Sequence, residues 1–285
     1  MHSNAFLYPT PGLTGRLVNR LVACPVLRRA RRTILSRLPF MPLASDVTDV
    51  VYCTWLVRTE CIARLVPPGV TLVEHNEQTL FTILTYRHRH FGPALAGPLR
   101  GLFPSPLQSN WRLYLESFPE KFPAGRCVLF VKNIFDQPLH AIASRLFSDA
   151  LPSHLALNFE HEQRAGAYRT RIDGGNGSAP DFQCDARPSA ERRLPDAFMP
   201  FFASWHRAVE FLCLQHGAIA QAEDCGMLAH ASIELPIDIG TVQPLQATRV
   251  SGGHFLEQLN VSAQPFMFAV PAAHFRVVAE TGPAS

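Results

Sequence analysis

Apolar residues recur every three or four positions between residues 13 and 38, with a break at Pro25. This spacing predicts two short amphipathic helices, in which arginines fill the positions between the leucines. A basic amphipathic helix can lie on an anionic membrane surface or contact a partner protein. More commonly, such a helix packs its apolar face on its own domain and leaves the basic face in solvent. The pattern leaves both interpretations open.

From residue 47 onward the pattern changes to short runs rich in β-branched and aromatic residues, separated by turn residues. Runs of this kind are typical of strands. N-cap residues and prolines mark the starts and ends of the helices between these strands. A proline-rich stretch at 91–107 predicts a long surface loop. The pattern predicts strands at 50–57, 79–87, 110–118, 127–135, 155–162 and 167–173, and helices at 59–66, after Asp136 and at 196–216.

The composition narrows the function classes. Charged residues make up 17% of the 285 residues, and the net charge is +3. Residues 1–45 contain seven arginines and no acidic residue, so the remainder is mildly acidic, which disfavours a nucleic-acid-binding protein. No stretch has the pattern of a membrane span or a secretory signal, and the seven cysteines form no Cys-x-x-Cys pair. We therefore expect a cytoplasmic protein without metal or cofactor, with peripheral attachment to the inner membrane face through residues 13–38 as an open alternative.

Four stretches, in order, resemble the acetoacetate decarboxylase-like superfamily, and within it the YqjF-like branch. The resemblance covers residues 47–275. The stretches are Val50-Val-Tyr-Cys-Thr-Trp-Leu-Val57, Cys61-Ile-Ala-Arg-Leu-Val-Pro-Pro-Gly-Val70, Asn110-Trp-Arg-Leu-Tyr114 and Phe130-Val-Lys-Asn-Ile-Phe-Asp136.

The resemblance implies an α+β fold, namely a closed or nearly closed antiparallel β-barrel with surrounding helices. A small barrel of this kind can hold one small ligand. Residues 1–45 lie outside the resemblance, so we expect a basic helical segment there and a barrel domain at 46–285. We also expect the segment to be dispensable for the barrel. An oligomer is compatible with the sequence.

The chemistry that the resemblance implies is Schiff-base catalysis on a β-keto acid, in which a lysine amine of lowered pKa attacks a ketone. The superfamily's lysine pair falls here on Ser153 and His154, its acidic residue near Thr82 and its arginine near Thr48. We therefore predict a lyase-like enzyme that acts on a small keto- or carboxylate-bearing metabolite in the barrel cavity but is not a standard acetoacetate decarboxylase. The alternative is a non-catalytic small-molecule-binding or scaffold protein that retains the barrel.

Lys132 is one of only two lysines and lies in an otherwise apolar predicted strand, Cys127–Phe135. Strand alternation places it on one face with Val128, Phe130 and Ile134. If this face points inward, burial lowers the pKa of the amine and makes Lys132 a candidate Schiff-base nucleophile. The alternative is a lysine that reaches solvent from the strand edge or pairs with a carboxylate.

Arg112, Tyr114 and Glu116 share one face of the preceding strand by the same alternation. An arginine beside a tyrosine suits a carboxylate ligand, because a guanidinium binds a carboxylate with two hydrogen bonds. Alternatively, Arg112 pairs with Glu116 and only organises the strand. We expect Arg112 and Tyr114 to line one cavity with Lys132 and His154, and this cavity to accept a small anionic or keto-acid ligand.

His154 is a candidate acid or base, at the position of the superfamily's reactive amine. Ser153 and Asp149 lie near it in the sequence, although such triads often arise by chance. The resemblance adds Arg145, in the helix after Asp136, as a substrate-binding candidate. The histidines that end the second strand, with the Glu-His-Glu run around His161, have the residue types of a metal site, but a basic strand end is the more common outcome.

Overall fold

The computed structural model of the chain describes residues 4–261 and 264–282. Its fold is a mixed, sheet-rich α+β arrangement. The helices are α1 (Leu13–Ala23), α2 (Pro25–Leu35), α3 (Thr59–Ile62), α4 (Pro138–Phe147), α5 (Trp205–Cys213) and α6 (Gly253–Gln258). The strands are β1 (Leu43–Arg58), β2 (Thr71–Leu72), β3 (Glu74–His75), β4 (Gln78–Pro93), β5 (Leu107–Ser117), β6 (Cys127–Phe135), β7 (Ser153–Leu155), β8 (Asn158–Arg164), β9 (Ala167–Asp173), β10 (Phe182–Pro188), β11 (Gly217–Gln221), β12 (Leu228–Glu234), β13 (Gln243–Ser251) and β14 (Phe266–Thr281). Short 3₁₀ turns lie at Ala63–Leu65, Ala94–Leu102, Asp196–Phe198 and Ile239–Thr241.

One continuous sheet contains most of the strands, in the order β1-β4-β5-β6-β11-β12-β14-β13-β10-β9-β8. Strand β14 also pairs with β1, so the pairings of seven strands return to their start. The predicted antiparallel character holds for most pairings, while β6 pairs in parallel with both β7 and β11. These seven strands are not spaced evenly round one axis, so the closed barrel stays a prediction.

Successive residues of β1 alternate between two apolar cores, as the period-two geometry of a strand requires. Val51, Cys53 and Trp55 belong to the first core, which the sheet forms with β9, β10 and α6. Val50 and Tyr52 belong to the second core, which the sheet forms with α5. The sheet is therefore buried on both faces, and the second face also borders the cavity described below.

The N-terminal segment packs on the rest of the chain through arginines of α2 and through apolar contacts of Phe6 and Val22 with β6 and α4. The predicted helices are confirmed as α1 and α2, which meet at Pro25. Arg28 contacts Glu223 at 3.0 Å, Arg32 contacts Asp149 at 2.8 Å, and Arg32 also contacts Asp224. These arginines point toward the protein body, so the basic face is only partly in solvent. None of the helices in the described ranges has the length and apolarity needed to cross a bilayer.

The predicted helix at 196–216 is wrong in extent. The structure has a 3₁₀ turn at Asp196–Phe198, an irregular stretch, and then α5. Pro200 has no amide hydrogen to donate within a helix, and Ser204 caps the new start by accepting a hydrogen bond from the Arg207 amide. Strand β10 was not predicted, because the polar residues around it hid its alternation.

Candidate functional site

A cavity of about 1560 Å³ lies between one face of the sheet and the N-terminal segment. Strands β1, β4, β5, β6, β12 and β14 contribute one wall, and residues 29–41 together with α4 contribute the other. Most of the lining side chains are apolar. The polar side chains of the strand wall are Tyr52, Tyr86, Gln108, Asn110 and Arg112, together with Glu280 near the end of β14.

Arg112 is the only arginine of the strand wall among the residues that line the cavity. Its side chain is 5% exposed. Nη2 donates to the Leu212 carbonyl at 2.7 Å, near the C-terminus of α5, and Nε donates to the Tyr114 hydroxyl at 3.3 Å. The guanidinium also lies over the rings of Tyr52 and Tyr114, 5.3 and 5.4 Å from their centroids. Tyr114 itself is fully buried behind Arg112.

The alternative of an Arg112–Glu116 ion pair is wrong. Glu116 continues the alternation of β5, but it lies beyond the buried part of the strand and is exposed. No ion pair to Arg112 forms among residues 4–261 and 264–282, so its charge is held in the protein by aromatic rings, a hydroxyl and a carbonyl alone. A buried charge in this condition is costly unless a ligand compensates it.

Tyr52 presents an unsatisfied hydroxyl beside this guanidinium. Its ring stacks on Phe268 at 4.5 Å, which fixes its orientation. Within the described part of the chain no nitrogen or oxygen atom is hydrogen-bonded to the buried hydroxyl, and the thiol of Cys213 is its polar neighbour. Burial, with a smaller contribution from Cys213, raises the pKa of Tyr52 well above its usual value, so the phenol stays protonated and can donate. An acceptor oxygen on a ligand would satisfy it.

Two amides of β5 continue the polar surface. Asn110 donates to the side-chain oxygen of Asn133 at 2.6 Å, and Gln108 accepts from His88 Nε2 at 2.6 Å. The other ring nitrogen of His88 lies 2.8 Å from the Ser45 hydroxyl. Burial lowers the pKa of His88 to about 4, so this ring is neutral at physiological pH. The network therefore fixes the amides without adding charge.

Sequence reasoning missed Gln108 and Asn110, although a signal was present. Both lie on the Arg112 face of β5 by period two, and extending the alternation back by two and four residues would have found them. Asn110 also opens the stretch Asn110–Tyr114 that carries the family resemblance.

A β-bulge in β6 decides where Lys132 points. Arg112 pairs with Phe130, and the preceding residue Trp111 pairs with Lys132, so Val131 is an additional residue in β6. A bulge of this kind interrupts the alternation of side chains. Phe130 lines the cavity, whereas Val131 belongs to the first core on the opposite face.

The predicted common face of Val128, Phe130, Lys132 and Ile134 is therefore wrong. Val128 and Phe130 line the cavity, and Ile134 lies in the first core. Neither Lys132 nor His154 is among the residues that line the cavity. The structure thus does not bring these two residues together with Arg112 and Tyr114, because the bulge changes the face after Phe130.

Lys132 lies instead in a second polar cluster, with Arg145, His154 and Glu223. Lys132 is 6% exposed. Burial and the charge of Arg145 lower its pKa to about 7, while Glu223 opposes this change. Burial, Lys132 and Arg145 together lower the pKa of His154 well below its usual value. The surroundings in this cluster thus keep the His154 ring neutral and allow the Lys132 amine to lose its proton near pH 7.

The N-terminal residues cover this second cluster. Arg145 donates from Nη2 to the Asn4 carbonyl at 2.5 Å, and the side-chain oxygen of Asn4 lies 2.9 Å from His154 Nε2. His154 Nδ1 lies 2.7 Å from the Ser178 hydroxyl, and Arg145 contacts Glu223 at 3.2 Å. Arg145 and His154 are therefore both hydrogen-bonded to Asn4, which lies more than forty positions before the region that resembles the family.

Neither the catalytic triad considered for His154 nor the metal site considered for His161 forms in the described part of the chain. Among the residues that the structure describes, His154 forms no hydrogen bond with Ser153 or Asp149, and the Asp149 carboxylate faces Arg31 and Arg32. The ring nitrogens of His161 contact the Thr170 hydroxyl and the Asp49 carbonyl, and β4 reaches His161 only through Arg87, which donates to its backbone carbonyl. Among residues 4–261 and 264–282, no group of three or more histidine, cysteine or acidic side chains has the geometry of a metal site.

Solved structures with a similar fold include three enzymes. The enduracididine biosynthesis enzyme MppR, complexed with pyruvate, aligns with a TM-score of 0.52 and 11% identity over 86% of this chain and 90% of that one. Acetoacetate decarboxylase from Legionella pneumophila aligns with a TM-score of 0.56 and 10% identity over 86% and 88%. An acetoacetate decarboxylase-like enzyme from Sphingomonas wittichii RW1 aligns with a TM-score of 0.51 and 9% identity over 84% and 92%. At such identities the likeness concerns the fold.

By sequence, none of the curated proteins matches the chain. The model of the DUF2071 family, described as an uncharacterized conserved protein, matches residues 45–208, which is more than half of the chain. Together with the fold, this confirms the resemblance drawn from the sequence. The chain therefore belongs to the DUF2071 family, and its fold is similar to that of acetoacetate decarboxylase.

Proposed function

We propose that the chain binds a metabolite with a carboxylate or keto-acid head and an apolar body in the large cavity, and that Arg112 anchors the head. The observation that carries this proposal is the buried guanidinium on the cavity wall, which has no carboxylate partner among the described residues. A carboxylate can accept two parallel hydrogen bonds from a guanidinium and compensates its charge.

The surroundings of Arg112 support a head group with several acceptor oxygens. The Tyr52 hydroxyl and the amide of Asn110 lie on the same wall, and the Tyr52 hydroxyl has no nitrogen or oxygen partner among the described residues. A protein of the same fold was solved with pyruvate, which supports a keto-acid head. Small-ligand pockets usually have roughly 300–1,000 Å³. The cavity exceeds this range and its lining is mostly apolar, which favours a ligand with a longer apolar body.

Calorimetric titration with straight-chain 2-oxo acids, starting from pyruvate, tests the proposal. We expect the affinity to rise about fourfold for each added methylene group that is buried, which corresponds to about 0.8 kcal/mol. The primary amides of the same acids should bind much more weakly. Arg112→Met should abolish binding of the acids, whereas Arg249→Gln, at an exposed position on β13, should not. Equal binding of acids and amides, or retained binding by Arg112→Met, would contradict the proposal.

A second candidate function is a lyase-like enzyme, and the lowered pKa of Lys132 favours it. A neutral amine near pH 7 is able to attack a ketone and form a Schiff base. Lys132 is not among the cavity-lining residues, so this reaction would take place in the cluster with Arg145 and His154. Borohydride reduction in the presence of pyruvate, followed by peptide mass spectrometry, should label Lys132. An unlabelled Lys132, or a label only on the exposed Lys121, would exclude this candidate.

A further inference from the structure

The N-terminal helices have an unusual orientation, because three arginines of α2 face the protein while the leucines of both helices face outward. Arg28, Arg31 and Arg32 are held by Glu223, Asp149 and Asp224. Only Gly15 and Val22 of α1 and Arg28 of α2 are buried. Ion pairs therefore fix α2, and the contacts of Val22 with Phe135 and Ala141 fix α1, so that the leucines of both helices are in contact with solvent.

We call this face the leucine face. Leu13, Leu17 and Leu21 form one stripe of α1 at a spacing of four residues, and Leu13 is 67% exposed. On α2 and the residues after it the exposed side chains include Val26, at 72%, and Ile34. The leucine face consists of Leu13, Leu17, Leu21, Val26, Leu27, Ile34 and Leu38.

The leucine face continues to the entrance of the cavity. Leu38, Phe40 and Met41 are exposed on the outside and also line the cavity. The Ala94 amide donates to the Pro42 carbonyl at 2.7 Å, which attaches the turn Ala94–Leu102 to the same edge. This turn carries three further exposed leucines, Leu95, Leu99 and Leu102. An exposed apolar surface of this extent marks an interaction site.

The charge around the leucine face indicates what covers it. Arg16, Arg20, Arg29 and Arg37 are exposed, and residues 1–45 contain no acidic residue. Arg16 and Arg20 lie three residues after Leu13 and Leu17 and so border the leucine stripe. A second copy of the chain on the same face, related by a twofold axis, would bring these arginines toward each other. An anionic bilayer instead matches both the arginines and the leucines.

We propose that the leucine face binds the surface of an anionic bilayer, with the cavity entrance against the lipid. The leucines enter the boundary between head groups and acyl chains, and the arginines contact the anionic head groups. The entrance then opens toward the lipid, where an apolar ligand would be concentrated. This inference rests on the leucine face alone, and it stands or fails separately from the ligand proposed for Arg112.

Vesicle flotation with the full-length protein tests the inference. We expect binding to mixed phosphatidylcholine–phosphatidylglycerol vesicles, weaker binding at high salt, and little binding to pure phosphatidylcholine. Arg16→Gln with Arg20→Gln should lower the partition coefficient about fivefold per arginine, from about 1 kcal/mol for each. Leu17→Ser with Leu21→Ser should lower it about tenfold or more.

Two exposed residues outside the leucine face provide matched controls. Met199→Ser removes an exposed apolar side chain, and Arg249→Gln removes an exposed arginine. Both should bind vesicles like the parent protein, and circular dichroism should show all variants folded. Absence of binding to mixed vesicles would overturn the inference, as would binding that the leucine and arginine pairs do not change. Self-association in light scattering that Leu17→Ser with Leu21→Ser abolishes would assign the face to a second copy instead.

Discussion

Replacing Lys132 by Met should stabilise the protein at neutral pH, by an amount that depends on pH. Burial and Arg145 lower the pKa of Lys132 from 10.5 to about 7. Between these values the unfolded chain holds one more proton than the folded one, so the stability of the parent protein rises with pH. Below about pH 7 the cost of burying the charged amine is fully present, and it amounts to at most about 5 kcal/mol. Methionine has a similar shape and no charge, so the free energy of unfolding of the variant is not lowered by the burial of a charged amine.

Urea unfolding at several pH values between 6 and 9 measures this effect. The stability advantage of Lys132→Met should be largest at pH 6 and should decrease by about 1.4 kcal/mol per pH unit above pH 7. Lys121→Met, at an exposed position in the loop between β5 and β6, controls for the loss of a lysine. A difference between Lys132→Met and the parent that stays constant from pH 6 to 9 would refute the lowered pKa, and with it the second candidate function.

Three further outcomes follow from the structure. Arg32→Gln should destabilise the protein by about 2–4 kcal/mol in urea unfolding, because the buried Asp149 loses a hydrogen-bonded partner. The arginine contacts lower the pKa of Asp149, so this difference should disappear as the pH falls below 3.8. Trp111→Ala should cost about 3–5 kcal/mol, since the side chain is fully buried against Phe255. Incubation with acetoacetate should release no carbon dioxide above background, as Ser153 and His154 replace the superfamily's lysines; rapid release would contradict this.

The elements that the sequence predicted best are those with strong local signals. Strand β6 has the predicted bounds, Cys127–Phe135, because it is a continuous apolar run between a glycine turn and Asp136. Pro25 and Pro138 gave the starts of α2 and α4, since each lies at the first helical position. The prediction of one helix at 196–216 failed because the helical spacing of the aromatic residues continues across Pro200, whereas the helical backbone does not.

The candidate site was less predictable, because its geometry depends on pairing between strands. Nothing in the β-branched Val131 distinguishes a bulged residue from an ordinary strand residue, and the bulge is visible only in the register with β5. The contact of Asn4 with His154 joins residues 150 positions apart, and no local pattern encodes it. Arg112 was found by its residue type and its strand position, and its lack of a carboxylate partner became evident only from the exposure of Glu116.

The bulge at Val131 has a consequence for the chemistry of the whole molecule. The chain has only two lysines, and Lys121 is exposed in a loop, so Lys132 is the only side-chain amine that a buried site can use. The bulge separates this amine from the cavity that contains Arg112. A ligand held by Arg112 therefore meets a guanidinium, a phenol and amides, which bind oxygen atoms but do not form a Schiff base. Recognition of a carboxylate and attack on a ketone would thus use opposite faces of one strand pair, which favours binding as the function of the cavity.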